Sequence, residues 1–188
     1  TDGKPVFFDA DGTHNMSQTM RYFLGGLQRY TAEIFLLYAP TVNSYRRFAP
    51  DTFAPAHGAW GFENRTCCFR VVGDSPGSIR IENRQPGSDT NPYLTVAGIL
   101  AAGLAGIEQK IEPHDPVVGN GYAQEVDPAL QFPTTILEAI AKLRESEFAQ
   151  EWLGETFVTA FSVSRASQEA EFRSKVPDTE LQRFFELI

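Results

Sequence analysis

The segment from Tyr93 to Ile107 contains no charged residue and is rich in Ala and Gly, and it constrains the fold more than any other stretch. Asn91 can cap a helix there, with Pro92 at its first position, running to about Ile111. The apolar residues surround the helix axis instead of lining one stripe, so burial on several sides is expected. Spanning a hydrocarbon layer of about 30 Å takes a longer apolar run, and Gly98, Gly103 and Gly106 interrupt this one. The chain must therefore supply a body large enough to surround a helix. With 188 residues, 42% of them hydrophobic, and with 15 Phe and 6 Tyr, it has the material for one globular domain, or one and a half small ones.

Charge and cysteine content narrow the function classes. Lys and Arg number 16 against 24 Asp and Glu, and the net charge of −8 argues against a general nucleic-acid binder or a polybasic membrane binder. The two cysteines, Cys67 and Cys68, are adjacent and cannot build a disulfide framework, which favours a reducing compartment. Thr1-Asp2-Gly3-Lys4 does not read as a basic region before an apolar one, and the chain starts without Met. A soluble, cytoplasmic fragment of something longer is the expectation.

Along the chain, Lys4 to Phe8 reads as a short strand closed by the turn Asp9-Ala10-Asp11-Gly12. Ser17 caps a helix whose apolar positions Met20, Phe23, Leu24, Leu27, Ile34 and Leu37 recur every three or four residues. Gly25-Gly26 inside that pattern predicts a break or a close backbone approach. A loop from Pro40 to Pro55 precedes three strands, around 57–62, 67–72 and 78–84, with Asp74-Ser75-Pro76-Gly77 turning between the last two. After the apolar helix and a loop from Glu112 to Pro133, Thr135 and Glu138 form a capping box. Short amphipathic helices then run to the end, broken near Gly154 and Pro177, with Trp152, Phe157 and Phe161 in the helix core. The order helix, strands, helices indicates an α+β fold of antiparallel sheet segments packed with helices.

The chemistry concentrates where arginine does, at Arg46, Arg47, Arg65, Arg70, Arg80 and Arg84. Strand alternation puts Arg80, Glu82 and Arg84 on one sheet face and Ile79 and Ile81 on the other, with Arg70 opposite Phe69 and Val71 on its own strand. Several guanidiniums around one carboxylate repel one another, and a polyphosphate with a divalent cation on Glu82 would relieve this. The plain alternative is a surface strand with a cross-strand Arg–Glu pair worth about 0–1 kcal/mol. Other motifs carry less. His14, His57 and His114 are far apart, Cys67 and Cys68 face opposite ways on a strand, and no nucleophile elbow, phosphate-binding glycine loop or dinucleotide fingerprint occurs. Asn64-Arg65-Thr66 is a formal glycosylation sequon that a cytoplasmic chain does not use.

Asn43-Ser44-Tyr45-Arg46-Arg47, Asn64-Arg65, Arg80-Ile81-Glu82-Asn83-Arg84 and Asn91-Pro92-Tyr93, in this order and spacing, resemble the C-terminal half of the glutamine synthetase catalytic domain. The likeness covers essentially all of 1–188. Asn43 to Phe48, Ala59-Trp60-Gly61, and Trp152-Leu153-Gly154-Glu155 with Phe157 are most similar to γ-glutamylputrescine synthetase and related γ-glutamyl-amine ligases. The resemblance implies transfer of the ATP γ-phosphoryl group to the γ-carboxylate of glutamate, then displacement of phosphate by an amine, with Mg²⁺ or Mn²⁺ required. It implies that Arg47 holds glutamate and that Arg65 stabilises the transferring phosphoryl group. Arg65, Arg70 and Arg80 are then nucleotide-phosphate ligands, Glu82 a metal ligand, and Arg84 a catalytic contact to glutamate or its phosphorylated form. Phe53 stands where true glutamine synthetases carry a flap glutamate, which points to an organic amine as acceptor. The family's N-terminal β-grasp domain, its other metal-binding glutamates and its metal-binding histidine motif have no counterpart here, so this stretch alone is expected to be inactive. The family also implies a homo-oligomer when full length, with neither nucleic acid nor membrane as partner. Ammonia-using glutamine synthesis, a non-catalytic relative and a hydrolase-like member remain the alternatives.

Overall fold

A computed structural model describes residues 3, 5–48, 52, 54–124 and 127–187. Ser17 opens helix α1 (Gln18–Tyr30) as expected, its hydroxyl accepting the Met20 N–H at 3.1 Å. Met20, Leu24 and Leu27 on its inner side are buried. The periodicity that predicts helix as far as Leu37 gives instead a turn after Tyr30 and a 3-10 helix over Phe35–Leu37, all three residues buried. The segment Lys4 to Phe8 shrinks to a single bridge between Phe8 and Met16, with Lys4 itself outside the described residues. The Asp9–Gly12 turn forms, Asp9 accepting the Asp11 N–H on its carboxylate and the Gly12 N–H on its carbonyl.

Gly25-Gly26 does not break α1. It lets the apolar helix α2 (Pro92–Gln109) come backbone to backbone: a Cβ on Gly26 would lie 2.1 Å from the Ala102 carbonyl oxygen and 2.6 Å from the Gly106 Cα. Asn91 caps α2 by accepting the Tyr93 and Leu94 N–H groups. Because both contacts of Gly26 are with backbone, no rotamer change relieves them. Gly26→Ala is therefore expected to cost about 3 kcal/mol or more, although alanine gains about 1 kcal/mol in helix propensity. Urea midpoints at constant m-value measure this, and an unchanged midpoint would mean the helices can part freely.

The expectation that α2 is buried on several sides is corrected. Gly98, Ala101, Ala102, Ala105 and Gly106 pack inward, whereas Tyr93, Val96, Leu100 and Leu104 on the opposite side are exposed. The reason is size. The small residues admit a neighbouring backbone, and that is the side on which α1 lies.

Three short strands, β1 (Trp60–Phe62), β2 (Phe69–Val72) and β3 (Arg80–Asn83), form a sheet in that order. β2 and β3 pair antiparallel, but β1 and β2 pair parallel, so the sheet is mixed. Glu63 takes a left-handed conformation (φ 52°) after β1, and its N–H reaches the Val71 carbonyl at 2.9 Å instead of closing a hairpin. Trp60, Phe69 and Val71 join Phe35 and the α1 residues in the core.

The remaining helices, α3 (Ile136–Glu145), α4 (Glu147–Leu153), α5 (Glu155–Arg173) and α6 (Asp178–Phe184), complete the α+β architecture. Gly154 (φ 90°) separates α4 from α5, and Pro177 precedes α6; at 19 residues, α5 is longer than the short helices expected. Thr135 accepts the Glu138 N–H, but the Glu138 carboxylate accepts from Thr134 N–H and hydroxyl, so the capping box closes one residue early. Trp152, Phe157 and Phe161 pack against the core as expected. Among the described residues no helix is long and apolar enough to cross a membrane.

Candidate active site

Phe69 and Val71 turn into the core, which leaves Arg70 on the other face of β2, and the antiparallel register sets it directly opposite Glu82. Glu82 accepts on both oxygens: Arg70 Nη1 at 2.9 Å on Oε2 and Arg80 Nη2 at 2.8 Å on Oε1. Arg70 is the better shielded of the two cations, its side chain 13% exposed against 55% for Arg80. Burial works to raise the Glu82 pKa, but hydrogen bonds and charge from Arg70 and Arg80 outweigh it and hold the carboxyl below its ordinary range. These pairs thus stabilise the fold at neutral pH, and the contribution is lost only as pH falls through that depressed value.

One expectation needs correcting. The second fork nitrogen of Arg70 donates to Glu63, so two carboxylates balance Arg70 and Arg80 and no anion is needed to hold this face together. Sequence alternation missed Glu63 because it lies in the left-handed turn beyond β1.

Arg65 is mounted differently. It is exposed, and no described carboxylate pairs with it. Its neighbours are fixed. The Asn64 side-chain oxygen accepts the Thr66 N–H at 3.0 Å and the Thr66 hydroxyl at 2.6 Å, while its amide donates to the carbonyls of Val117 and Gly119. Gly121 N–H donates to the Thr66 hydroxyl at 2.8 Å. The Asn-x-Thr triplet that reads as a sequon is therefore an Asx turn sewn to the 117–121 loop. It leaves one fully charged fork at the edge of an open cavity of about 510 Å³ bounded also by His14, Phe62 and Val117.

Arg47 lies at the end of a 3-10 helix over Val42–Arg47, capped by Thr41 and Ser44. Its Nη1 donates to the Gln85 carbonyl and its Nη2 to the Arg84 carbonyl at 2.9 Å, which uses two of the five guanidinium donors. Arg47 and Arg84 are thus brought together, next to the strand that carries Glu82. Phe53, the third substrate-side expectation, lies outside the described residues.

The donor set limits what metal this stretch can hold. A hard dication takes six or more oxygen ligands, and Glu82 offers one carboxylate. No group of three His, Cys, Asp or Glu suited to a metal occurs among the described residues. The three histidines have different surroundings. His14 stacks on Phe62 with ring centroids 4.4 Å apart; His57 is buried, which lowers its pKa, and hydrogen-bonds to the Gly121 backbone; the His114 N–H donates to Gln28. Cys67 and Cys68 are free and buried, and burial pushes the Cys67 thiol up to about 11.

A family model described as the glutamine synthetase catalytic domain matches residues 1–184. The γ-glutamylethanolamide synthetase of Streptomyces coelicolor is 45% identical over 185 residues, covering 95% of this chain and 39% of the relative. A glutamate–isopropylamine ligase from a Pseudomonas species is 36% identical over 186 residues, covering 99% and 40%. The solved structure of GmaS without ligand superposes with a TM-score of 0.83 at 31% identity, covering 96% of this chain and 41% of that one. The chain spans about two-fifths of the length of these relatives.

Proposed function

The chain belongs to the glutamine synthetase family, and from that premise we propose that it carries part of the catalytic site of an ATP-dependent ligase joining the γ-carboxylate of glutamate to an organic amine. In the first step the γ-phosphoryl group of ATP passes to a γ-carboxylate oxygen and ADP leaves. In the second, the amine nitrogen attacks the acyl carbon, the C–O bond to phosphate breaks, and the nitrogen gives up a proton. The observation that carries this reading is the division of labour among the arginines. Arg70 and Arg80 converge on Glu82 across β2 and β3, while Arg65, paired with no described carboxylate, stands on a hydrogen-bonded turn beside an open cavity.

That arrangement suits charge that moves during phosphoryl transfer. Catalysis of this step rests on positioning and electrostatics, and a fork held as Arg65 is can meet the equatorial oxygens without first leaving a described carboxylate. On the family resemblance, Arg70 and Arg80 would contact the polyphosphate, each exchanging part of its hold on Glu82 or Glu63 for phosphate oxygens, and Arg47 and Arg84 would hold glutamate. A bound divalent cation would neutralise polyphosphate charge, with Glu82 supplying one of its oxygen ligands. An organic amine as acceptor is supported by Phe53 and by two of the relatives, one named as a γ-glutamylethanolamide synthetase and the other as a glutamate–isopropylamine ligase.

Glu82→Gln in the whole protein tests the core of this assignment. The expected result is a loss of metal-dependent amide formation and ADP release by about 10²-fold or more. Stability should fall by no more than about 2 kcal/mol, since two partly exposed ion pairs are weakened. Near-normal turnover with unchanged metal dependence would remove Glu82 from the metal site. A collapse of stability would make it a structural counter-ion for Arg70 and Arg80.

A further inference from the structure

We propose that Gln85 is the positioning residue of the glutamate side of this site, one buried amide that sets Arg47 and the Ala54-Pro55 stretch relative to the end of β3. Gln85 is 0% exposed. Its side-chain nitrogen donates to the Pro55 carbonyl, 30 residues away in sequence. Its own backbone carbonyl accepts from Arg47 Nη1, beside the Arg84 carbonyl that accepts from Nη2, and its N–H donates to the Asn83 side chain at 3.2 Å. Cys68, fully buried on the neighbouring stretch, accepts the Arg84 N–H on its backbone carbonyl at 3.0 Å, which holds the same end of β3 to the sheet. On the far side, Thr52 Oγ1 donates to the Arg47 carbonyl at 2.7 Å. Arg47, the 54–55 stretch and the end of β3 at 83–85 are thus tied through one residue.

A leucine would fill this volume with no polar group to satisfy, whereas a buried amide demands partners in fixed directions. What the amide adds is direction. Two donors of Arg47 are committed to carbonyls 84 and 85, so the aim of its remaining N–H groups depends on how that backbone is held. Gln85 holds it from the side chain, by its grip on Pro55. It touches no substrate itself.

This rests on the reading of Arg47 and Arg84 as glutamate contacts, which Arg47→Ala, run beside the Gln85 variants, tests on its own. An unchanged glutamate KM there overturns that reading, and a raised one leaves Gln85 to be judged by its own variants. In the whole protein, Gln85→Leu and Gln85→Glu are compared with wild type for KM of glutamate and of ATP, using ammonium and ethylamine as acceptors in parallel. The expected result for Gln85→Leu is a glutamate KM raised about tenfold or more, about 1.4 kcal/mol, with the ATP KM within about twofold. Gln85→Glu should regain glutamate affinity as pH falls, because a protonated carboxyl can donate to the Pro55 carbonyl and a carboxylate cannot. A folded Gln85→Leu enzyme with an unchanged glutamate KM overturns the proposal. So does a parallel rise in both KM values, a Gln85→Glu profile that follows wild type, or failure of both variants to fold, which would make Gln85 purely structural. Preference of the wild type for ammonium would overturn the amine reading alone, since glutamate KM is read with either acceptor.

Discussion

Arg65→Ala in the whole protein will lower kcat by about 10³-fold or more while moving the thermal midpoint by only about 1–2 °C. The two halves of that expectation come from the same geometry. Arg65 is exposed and pairs with no described carboxylate, so its removal breaks no ion pair among the described residues and strands no buried charge there. The turn beneath it is held by Asn64 and Thr66, whose hydrogen bonds do not involve the Arg65 side chain. Arginine supplied to a transferring phosphoryl group is worth about 10³–10⁵ in rate where it has been removed or added. Arg65→Lys should recover a small part, because a point charge replaces the charge but not the planar fork. Single-turnover measurement of γ-glutamyl phosphate formation, beside thermal melting, reads both quantities. A variant with kcat within about tenfold of wild type would take Arg65 out of the transfer step, and a large drop in midpoint would make it structural.

The contrast between Arg65 and Arg70 also shows what could be read from the residues alone. Strand alternation placed Arg70, Arg80 and Glu82 on one face because the period of two is enforced locally by Phe69, Val71, Ile79 and Ile81 turning the other way. It could not place Glu63, which reaches Arg70 from a left-handed turn where alternation no longer applies. The parallel pairing of β1 with β2 was hidden for a related reason. Parallel neighbours ordinarily need a crossover of a dozen or more residues, and only the short stretch 63–68 lies between these strands. For α2, the residues alone indicated the helix and its cap, and Gly25-Gly26 allowed a close backbone approach, but that α2 is what approaches, and which of its sides find partners, is a property of the neighbours. Arg47 was legible as a candidate and its hold on the carbonyls of Arg84 and Gln85 was not, since nothing local couples residues so far apart. Gln85 carried no signal at all, being a polar residue between Arg84 and Pro86 at the end of a strand. Only its complete burial distinguishes it.

An organic amine will be preferred over ammonium by about tenfold or more in kcat/KM, and Phe53→Glu will move that ratio toward ammonium by about tenfold or more. In the sequence Pro50-Asp51-Thr52-Phe53-Ala54-Pro55, the resemblance to the family implies that Phe53 stands where true glutamine synthetases carry a flap glutamate. Ammonium must lose a proton before it can attack, and a carboxylate next to the acyl phosphate both binds the cation and takes that proton. A phenyl ring can do neither. It can line an apolar wall for an alkyl chain and present its π-face to a substituted ammonium group, a contact worth about 0.5–2 kcal/mol that strengthens with desolvation. Each tenfold step in the ratio corresponds to about 1.4 kcal/mol of transition-state stabilisation, so exchanging a ring for a carboxylate has enough energy to reverse the preference. Competing structural roles separate in the kinetics. If Phe53 only packs its loop and Asp51 supplies the acid, Phe53→Glu should weaken all acceptors alike, and Asp51→Asn should abolish turnover with ammonium and amine together. Measuring kcat/KM for ammonium, ethanolamine, ethylamine and putrescine on wild type and both variants decides between them. A wild type that favours ammonium by tenfold or more would make this chain part of an ordinary glutamine synthetase, with the acid at 51 in place of the glutamate missing at 53.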